Sequence, residues 1–337
     1  MVLACRHVIL TSMEYVSETI NYLPVICFFL MIKNRSIASI DDISEDEMIE
    51  IFDLTEKMLS ALESQKRLTS MSGRIMATLF FEPSTRTRLS FESAMNRLGG
   101  GVIGFSDVKS SSVSKGETLA DTVRMAESYS DIIVIRHPLE GAARLASKFT
   151  ARPIVNAGDG SGQHPTQTLL DLFTIKKEIG RLDNLDITLV GDLKYGRTVH
   201  SLLLALARID ATVHLVSPPS LRIPHHVISA VKDKIDITEF DDLSRVIHDT
   251  DVLYVTRIQK ERFPDTEEYQ KLIGSYSIDS ATVSTMKKDS VIMHPLPRVD
   301  EIKPEVDTLP QAKYFRQAFY GVPVRMALIS LLLGGDL

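Results

Sequence analysis

Ser84-Thr85-Arg86-Thr87 sets hydroxyls and a guanidinium where an apolar run, 75–81, gives way to a helical pattern, 83–98. Free backbone N–H groups and the positive end of a helix dipole attract an anion there, and Arg86 adds charge-assisted bonds, so the string suits phosphate. Alone, it reads equally well as an ordinary hydroxyl cap beside a solvated arginine. His164 and Gln167 stand one helical turn apart at the start of another helical pattern, an imidazole and a carboxamide on one face that could grip a carbonyl and an NH2. The plainer reading of His164 is a structural cap. Arg136 follows the apolar strand 131–135, Arg197 opens a helical pattern, and Arg257 and Gln259 alternate after the strand 252–255. Such arginines fit carboxylates. The turn 191–197 superficially suggests nucleotide binding but lacks the G-x-G-x-x-G spacing. A serine-rich loop at 109–116 contains Ser111 and Lys115, and read alone it is a solvated linker. In His294-Pro295-Leu296-Pro297-Arg298 the prolines make a rigid loop whose carbonyls could accept from an NH2; a plain turn is the alternative.

The elements that must hold these residues alternate between strand and helix. Ser44 to Glu47 is a capping box, followed by Met48, Ile51, Phe52, Met58, Leu59 and Leu62 at helical spacing. Strand 75–81, helix 83–98, strand 102–105, helix 117–129, strand 131–135 and a helix near 141–148 form one series. A helix from Pro165 to 179 leads into the second: strand 187–190, helix 196–208, strand 212–216 and strand 252–255. The pattern predicts an α/β protein with two doubly wound parallel-sheet domains and right-handed crossovers. A helical apolar segment, 324–333, could by pattern pack on either domain. It is assigned to the first, giving domains 31–162 plus 315–337 and 163–314, with 1–30 as a dispensable extension or upstream-start artefact.

A length of 337 residues agrees with two domains, and 44% hydrophobic with 24% charged residues is ordinary globular composition. The net charge of −6 argues against a general nucleic-acid binder. Both cysteines, Cys5 and Cys27, lie near the start, which leaves no thiol elsewhere for disulfides, zinc or nucleophilic catalysis and fits a reducing cytoplasm. The apolar stretch 23–32 is too short for a bilayer, which takes about 20 residues, and Glu14 and Glu18 before it do not suit a signal peptide.

Taken together, 81–88 (Phe-Glu-Pro-Ser-Thr-Arg-Thr-Arg), 164–167 (His-Pro-Thr-Gln) and 294–297 (His-Pro-Leu-Pro) resemble, in order, three signatures of the aspartate carbamoyltransferase family. The resemblance extends from about Met31 onward. It implies a carbamoyl-phosphate domain and an aspartate domain, and transfer of the carbamoyl group to aspartate, early in pyrimidine biosynthesis, without metal or organic cofactor. Ser84, Thr85, Arg86 and Thr87 would hold the phosphate, while Arg136, His164 and Thr87 would meet the carbonyl oxygen. Gln167, Pro295 and Leu296 would bind the NH2. Arg197 would take the α-carboxylate of aspartate, and Arg257 with Gln259 its side-chain carboxylate. Ser111 and Lys115 would come from a neighbouring subunit of a homotrimer, although Ser114 departs from the commonest pattern of that loop. The resemblance favours aspartate over ornithine, because ornithine enzymes typically carry a cysteine in the late proline loop. A non-catalytic relative would have lost phosphate or clamp residues, and none is lost here. A separate regulatory chain is left open by the sequence.

Overall fold

The computed structural model describes residues 32–107, 111–258 and 276–335. The first α-helix among the described residues, α1 (Glu45–Glu63), starts at the expected capping box: Ser44 Oγ accepts from the Glu47 N–H, and Glu47 Oε2 accepts from the Ser44 N–H at 2.8 Å. Its apolar stripe, including Met48, Ile51, Phe52 and Met58, is buried. Then follow β1 (Ile75–Phe80), α2 (Thr85–Arg97), β2 (Gly101–Phe105), α3 (Leu119–Tyr129), β3 (Ile132–His137), α4 (Ala142–Ala146) and β4 (Ile154–Asp159). These strands form one parallel sheet in the order β2-β1-β3-β4.

Helix α5 (Pro165–Ile179) leads to the second unit. Its elements are β5 (Leu185–Val190), α6 (Arg197–Leu206), β6 (Ala211–Val216), α7 (His225–Val231), β7 (Asp236–Phe240), β8 (Val252–Val255), α8 (Ser280–Ser284) and β9 (Val291–Met293). The sheet is again parallel, in the order β7-β6-β5-β8-β9. The last helix, α9 (Tyr314–Leu333), packs most closely on α1, α5 and α2.

In each sheet the strand order reverses once: between β1 and β3 in the first, and between β5 and β8 in the second. Open α/β sheets bind ligands outside the carboxyl ends of their strands at this point, because the flanking loops diverge and leave a crevice. The segments after β1, β5 and β8 carry Ser84, Arg197 and Arg257, while Arg136 lies at the end of β3.

Sequence periodicity places the long elements well and the short ones poorly. Strand β3 continues through Arg136 and His137, past the expected end at 135, with a register shift against β4 between Ile135 and His137. Strands β4, β7 and β9 were not anticipated; β7 is a half-exposed sheet edge and β9 has three residues. Helix α9 begins ten residues before the predicted 324 and tolerates Pro323 inside it. Among the described residues no helix is long and apolar enough to cross a membrane. Apart from Ile32, the segments 1–30 and 23–32 lie outside the described residues.

Candidate active site

The two crevices open into one cavity of about 660 Å3. Ser84, Thr85, Arg86, Thr87, Arg136, His164, Gln167, Arg197, Arg257, Pro295 and Leu296 all line it, though they come from six separate segments of the chain. Gln259 lies outside the described residues. Ser111 borders and Lys115 closes a short 3-10 helix, and neither is among the residues lining the cavity of this single chain.

At the start of α2, Ser84 is the N-cap but its side chain makes no capping bond. The hydroxyl cap read from sequence is therefore not its role, and the helix start, whose first N–H groups have no partner within the helix, lies at the cavity that Ser84, Thr85, Arg86 and Thr87 line. His164 likewise sits at the N-cap of α5 without capping it. Its ring is buried and its Nδ1 has no partner. Burial, then Arg136, Arg197 and Arg325, hold its pKa well below the usual value, so the imidazole is neutral at pH 7 and can donate one N–H without adding charge.

Five arginines, Arg86, Arg136, Arg197, Arg257 and Arg325, line the cavity against one carboxylate, Glu82. Glu82 Oε1 accepts from Arg136 Nη2 at 2.6 Å and from Arg197 Nη2 at 2.9 Å. The remaining Nη1 of Arg136 donates to Ala157 O at 3.0 Å, and that of Arg197 to Gly160 O at 2.7 Å. One carboxylate thus joins an arginine at a strand end of the first sheet to one beside the second. Burial pushes the Glu82 carboxyl up, but the bonds from Arg197 and Arg136 outweigh it and hold it below the usual range. Burial, followed by repulsion from Arg197, lowers Arg136 to about 10. Arg86 is lowered by burial and by Arg257. Such a cluster is incomplete without anions, and bound anions would relieve the mutual repulsion of its cations.

The backbone around these arginines leaves little room. Gly158, at φ +114°, faces the pair so closely that a Cβ would lie 3.0 Å from Arg136 Nη1 and 3.3 Å from Arg197 Cζ. The loop after β9 is fixed by hydrogen bonds. The Leu296 N–H donates to His294 Nδ1 at 2.8 Å, so the proton sits on Nε2, which donates to Glu301 Oε1 at 2.6 Å. Burial keeps His294 neutral, and Leu296 adopts φ +50°. The backbone of Pro295 and Leu296 is therefore held at the cavity wall.

Sequence reasoning gave no role to Glu82, Asp171, Gln317 or Arg325. Glu82 stands two residues before Ser84 and could have been suspected as the carboxylate of an otherwise basic string. Its partners lie 54 and 115 residues away, which no local pattern reveals. Arg325 is buried in α9 over the Phe91 ring and bonded to Ser90 Oγ at 2.8 Å; an arginine inside an apolar helix was the available signal. Among the described residues, no group of acids, histidines or cysteines could hold a metal ion.

Comparison with known proteins agrees with this arrangement. Residues 35–177 match the family model described as the carbamoyl-P binding domain of aspartate/ornithine carbamoyltransferase, and residues 183–332 match the Asp/Orn binding domain. The chain is 69% identical over 304 residues to the aspartate carbamoyltransferase catalytic subunit of Thermoplasma volcanium, covering 90% of this chain and all of that protein. A solved catalytic subunit of M. jannaschii aspartate transcarbamoylase superposes with a TM-score of 0.83 at 56% identity, covering 89% of this chain and 98% of the other. The Trypanosoma cruzi aspartate transcarbamoylase in complex with carbamoyl phosphate and aspartate superposes with a TM-score of 0.87 at 42% identity, over 90% and 98%. With both sheets and the cavity between them covered, the chain belongs to the aspartate/ornithine carbamoyltransferase family.

Proposed function

We propose that the chain transfers the carbamoyl group of carbamoyl phosphate to the α-amino group of L-aspartate and releases phosphate, an early step of pyrimidine biosynthesis in the cytoplasm. The observation that carries this reading is the cavity lined by five arginines and one carboxylate at the switch points of both sheets. Two anionic substrates must be brought together there, and neutralising their charge is the main task.

Ser84, Thr85, Arg86 and Thr87 hold the phosphate at the start of α2. Arg136, neutral His164 and Thr87 donate to the carbonyl oxygen, which becomes an oxyanion as the amine attacks the carbon. Donors aimed at a developing oxyanion contribute about 3 to 4 kcal/mol each to the barrier. Gln167 and the carbonyls of Pro295 and Leu296 accept from the NH2. Arg197 holds the α-carboxylate, and Arg257 with Gln259 the side-chain carboxylate. The N–C bond forms, the bond between the carbamoyl carbon and the bridging oxygen breaks with the O–P bond left intact, and the departing phosphate takes the amine proton. Residues 31–162 with 315–337 form the donor domain and 163–314 the acceptor domain, an assignment supported by the packing of α9 on α1 and α2, with α5 as the linking helix that α9 also meets. The assembly is a homotrimer in which Ser111 and Lys115 enter a neighbour's site, supported by their standing apart from the cavity of their own chain. The relatives' designation as catalytic subunits supports a separate regulatory chain as well.

The test is an assay with labelled carbamoyl phosphate and either L-aspartate or L-ornithine, on wild type and Arg257→Ala. Carbamoyl aspartate from the wild type, lost in the variant, is the expected result. Citrulline would move the chain to the ornithine branch, and no product would overturn the reading.

A further inference from the structure

Beneath the cavity lies a carboxylate that the transfer chemistry does not touch. Asp171 on α5 is completely buried. Its Oδ1 accepts from Gln167 Nε2 at 2.9 Å and from Gln317 Nε2 at 2.6 Å, and its Oδ2 accepts from the Tyr254 hydroxyl at 2.8 Å. Three donors thus arrive from the preceding turn of α5, from α9 and from β8.

An amide side chain presents a donor at one end and an acceptor at the other, and its partners decide which faces where. Gln317 is fixed at both ends: Oε1 accepts from the His294 N–H at 2.8 Å, so its NH2 must face Asp171. Gln167 gives its NH2 to the same oxygen, which turns its carbonyl away from Asp171 toward the cavity that it lines. Without the carboxylate, nothing in this network would prevent Gln167 from presenting its NH2 instead, a donor facing a donor. Through Gln317 the same carboxylate holds the first residue of the 294–297 loop. Both groups proposed to accept from the carbamoyl NH2 are therefore referred to one atom, Asp171 Oδ1.

We propose that Asp171 is a positioning residue for donor selection: it sets the Gln167 carbonyl and, through Gln317, the 294–297 carbonyls as a paired acceptor that distinguishes a carbamoyl from an acyl phosphate. This deepens the function proposed above and rests on it. The burial that raises the Asp171 carboxyl to about 7 is opposed by bonds from Gln317, Tyr254 and Gln167, as expected of a group held for its acceptors rather than its charge.

Acetyl phosphate tests this, because it replaces NH2 by CH3 at nearly the same size. The quantity read is its inhibition constant divided by the KM for carbamoyl phosphate. In Asp171→Ala that ratio is expected to fall about tenfold, since an NH2 left facing the wrong group loses its advantage over a methyl. Asp171→Asn should restore the wild-type ratio, as its Oδ1 can accept from both glutamines while its NH2 donates to the Tyr254 oxygen. Gln317→Met, which keeps side-chain volume and cuts only the arm to the loop, should lower the ratio about threefold and serves if Asp171→Ala does not fold. A parallel loss with both phosphates and an unchanged ratio would make Asp171 merely structural and overturn the proposal. So would failure of Asp171→Asn to retain selectivity. A wild type that forms no carbamoyl aspartate overturns the underlying function instead, and the two failures are distinguished by that control.

Discussion

Glu82 and Asp171 each gather side chains that are distant in sequence, yet they do so in opposite ways. Glu82 is partly open to solvent, with its side chain 24% exposed, and it pairs with one cation in the first sheet and one beside the second. Asp171 is sealed and accepts from two amides and a phenol. The first environment lowers a carboxyl pKa and the second raises it. Near Glu82, charge decides the geometry, so the arrangement is open to change when anions enter. Near Asp171, direction decides it, because amides must be turned the right way whatever their charge.

Breaking the charged region should have the largest effect. Glu82→Ala leaves Arg136 and Arg197 without their shared partner, and kcat/KM is expected to fall on the order of 100-fold by steady-state assay. A change below threefold would show that the arginines hold their places without it. Arg136→Lys is next: an ammonium donates from one nitrogen and lacks the planar fork by which Nη1 and Nη2 reach Ala157 O and Glu82 separately, so kcat should drop about tenfold or more with a smaller change in KM. Gly158→Ala sharpens the steric side of the comparison. A side chain at φ +114° strains the backbone and pushes on both arginines, so stability should fall by about 1 to 3 kcal/mol in urea titrations, accompanied by lost activity.

The smallest effect belongs to the directional region. The folded Asp171 carboxyl titrates near 7, above its ordinary value of 3.8, so between these limits the folded state holds a proton that the unfolded state releases. This contribution to stability is full below about pH 4 and declines as pH rises through 7. Asp171→Asn removes the ionisation, so its Tm should gain on the wild type by a few degrees between pH 5 and pH 8. Thermal scans in which the gap stays constant would mean that the carboxyl does not titrate in this window.

Alternation of apolar strands and amphipathic helices made the two parallel sheets legible, and Ser44 with Glu47 marked the first helix to the residue. Short edge and buried strands such as β7 and β9 carried too few residues for a period to emerge. In the site, residues sitting at strand ends or helix starts were found because those positions have chemistry of their own. The partnerships were not, since Glu82 with Arg197 and Asp171 with Gln317 exist only after the sheets and α9 have come together. Gln167 shows the limit well: its spacing from His164 was readable, but which end of its amide meets the cavity was decided by a neighbour one turn further on.

The packing of α9 on α1 and α2 has a consequence for biosynthesis. Ribosomes add about 5 to 20 residues per second, and domains generally fold as they emerge, the earlier one first. Here the earlier sheet is made of residues 75–159, but the helix that covers its flank ends at Leu333. The later sheet, complete by Met293, has its strands in hand before this helix is made. The strands of both sheets are therefore translated before α9, and the faces of α1, α2 and α5 that α9 buries have no cover in the nascent chain until it emerges.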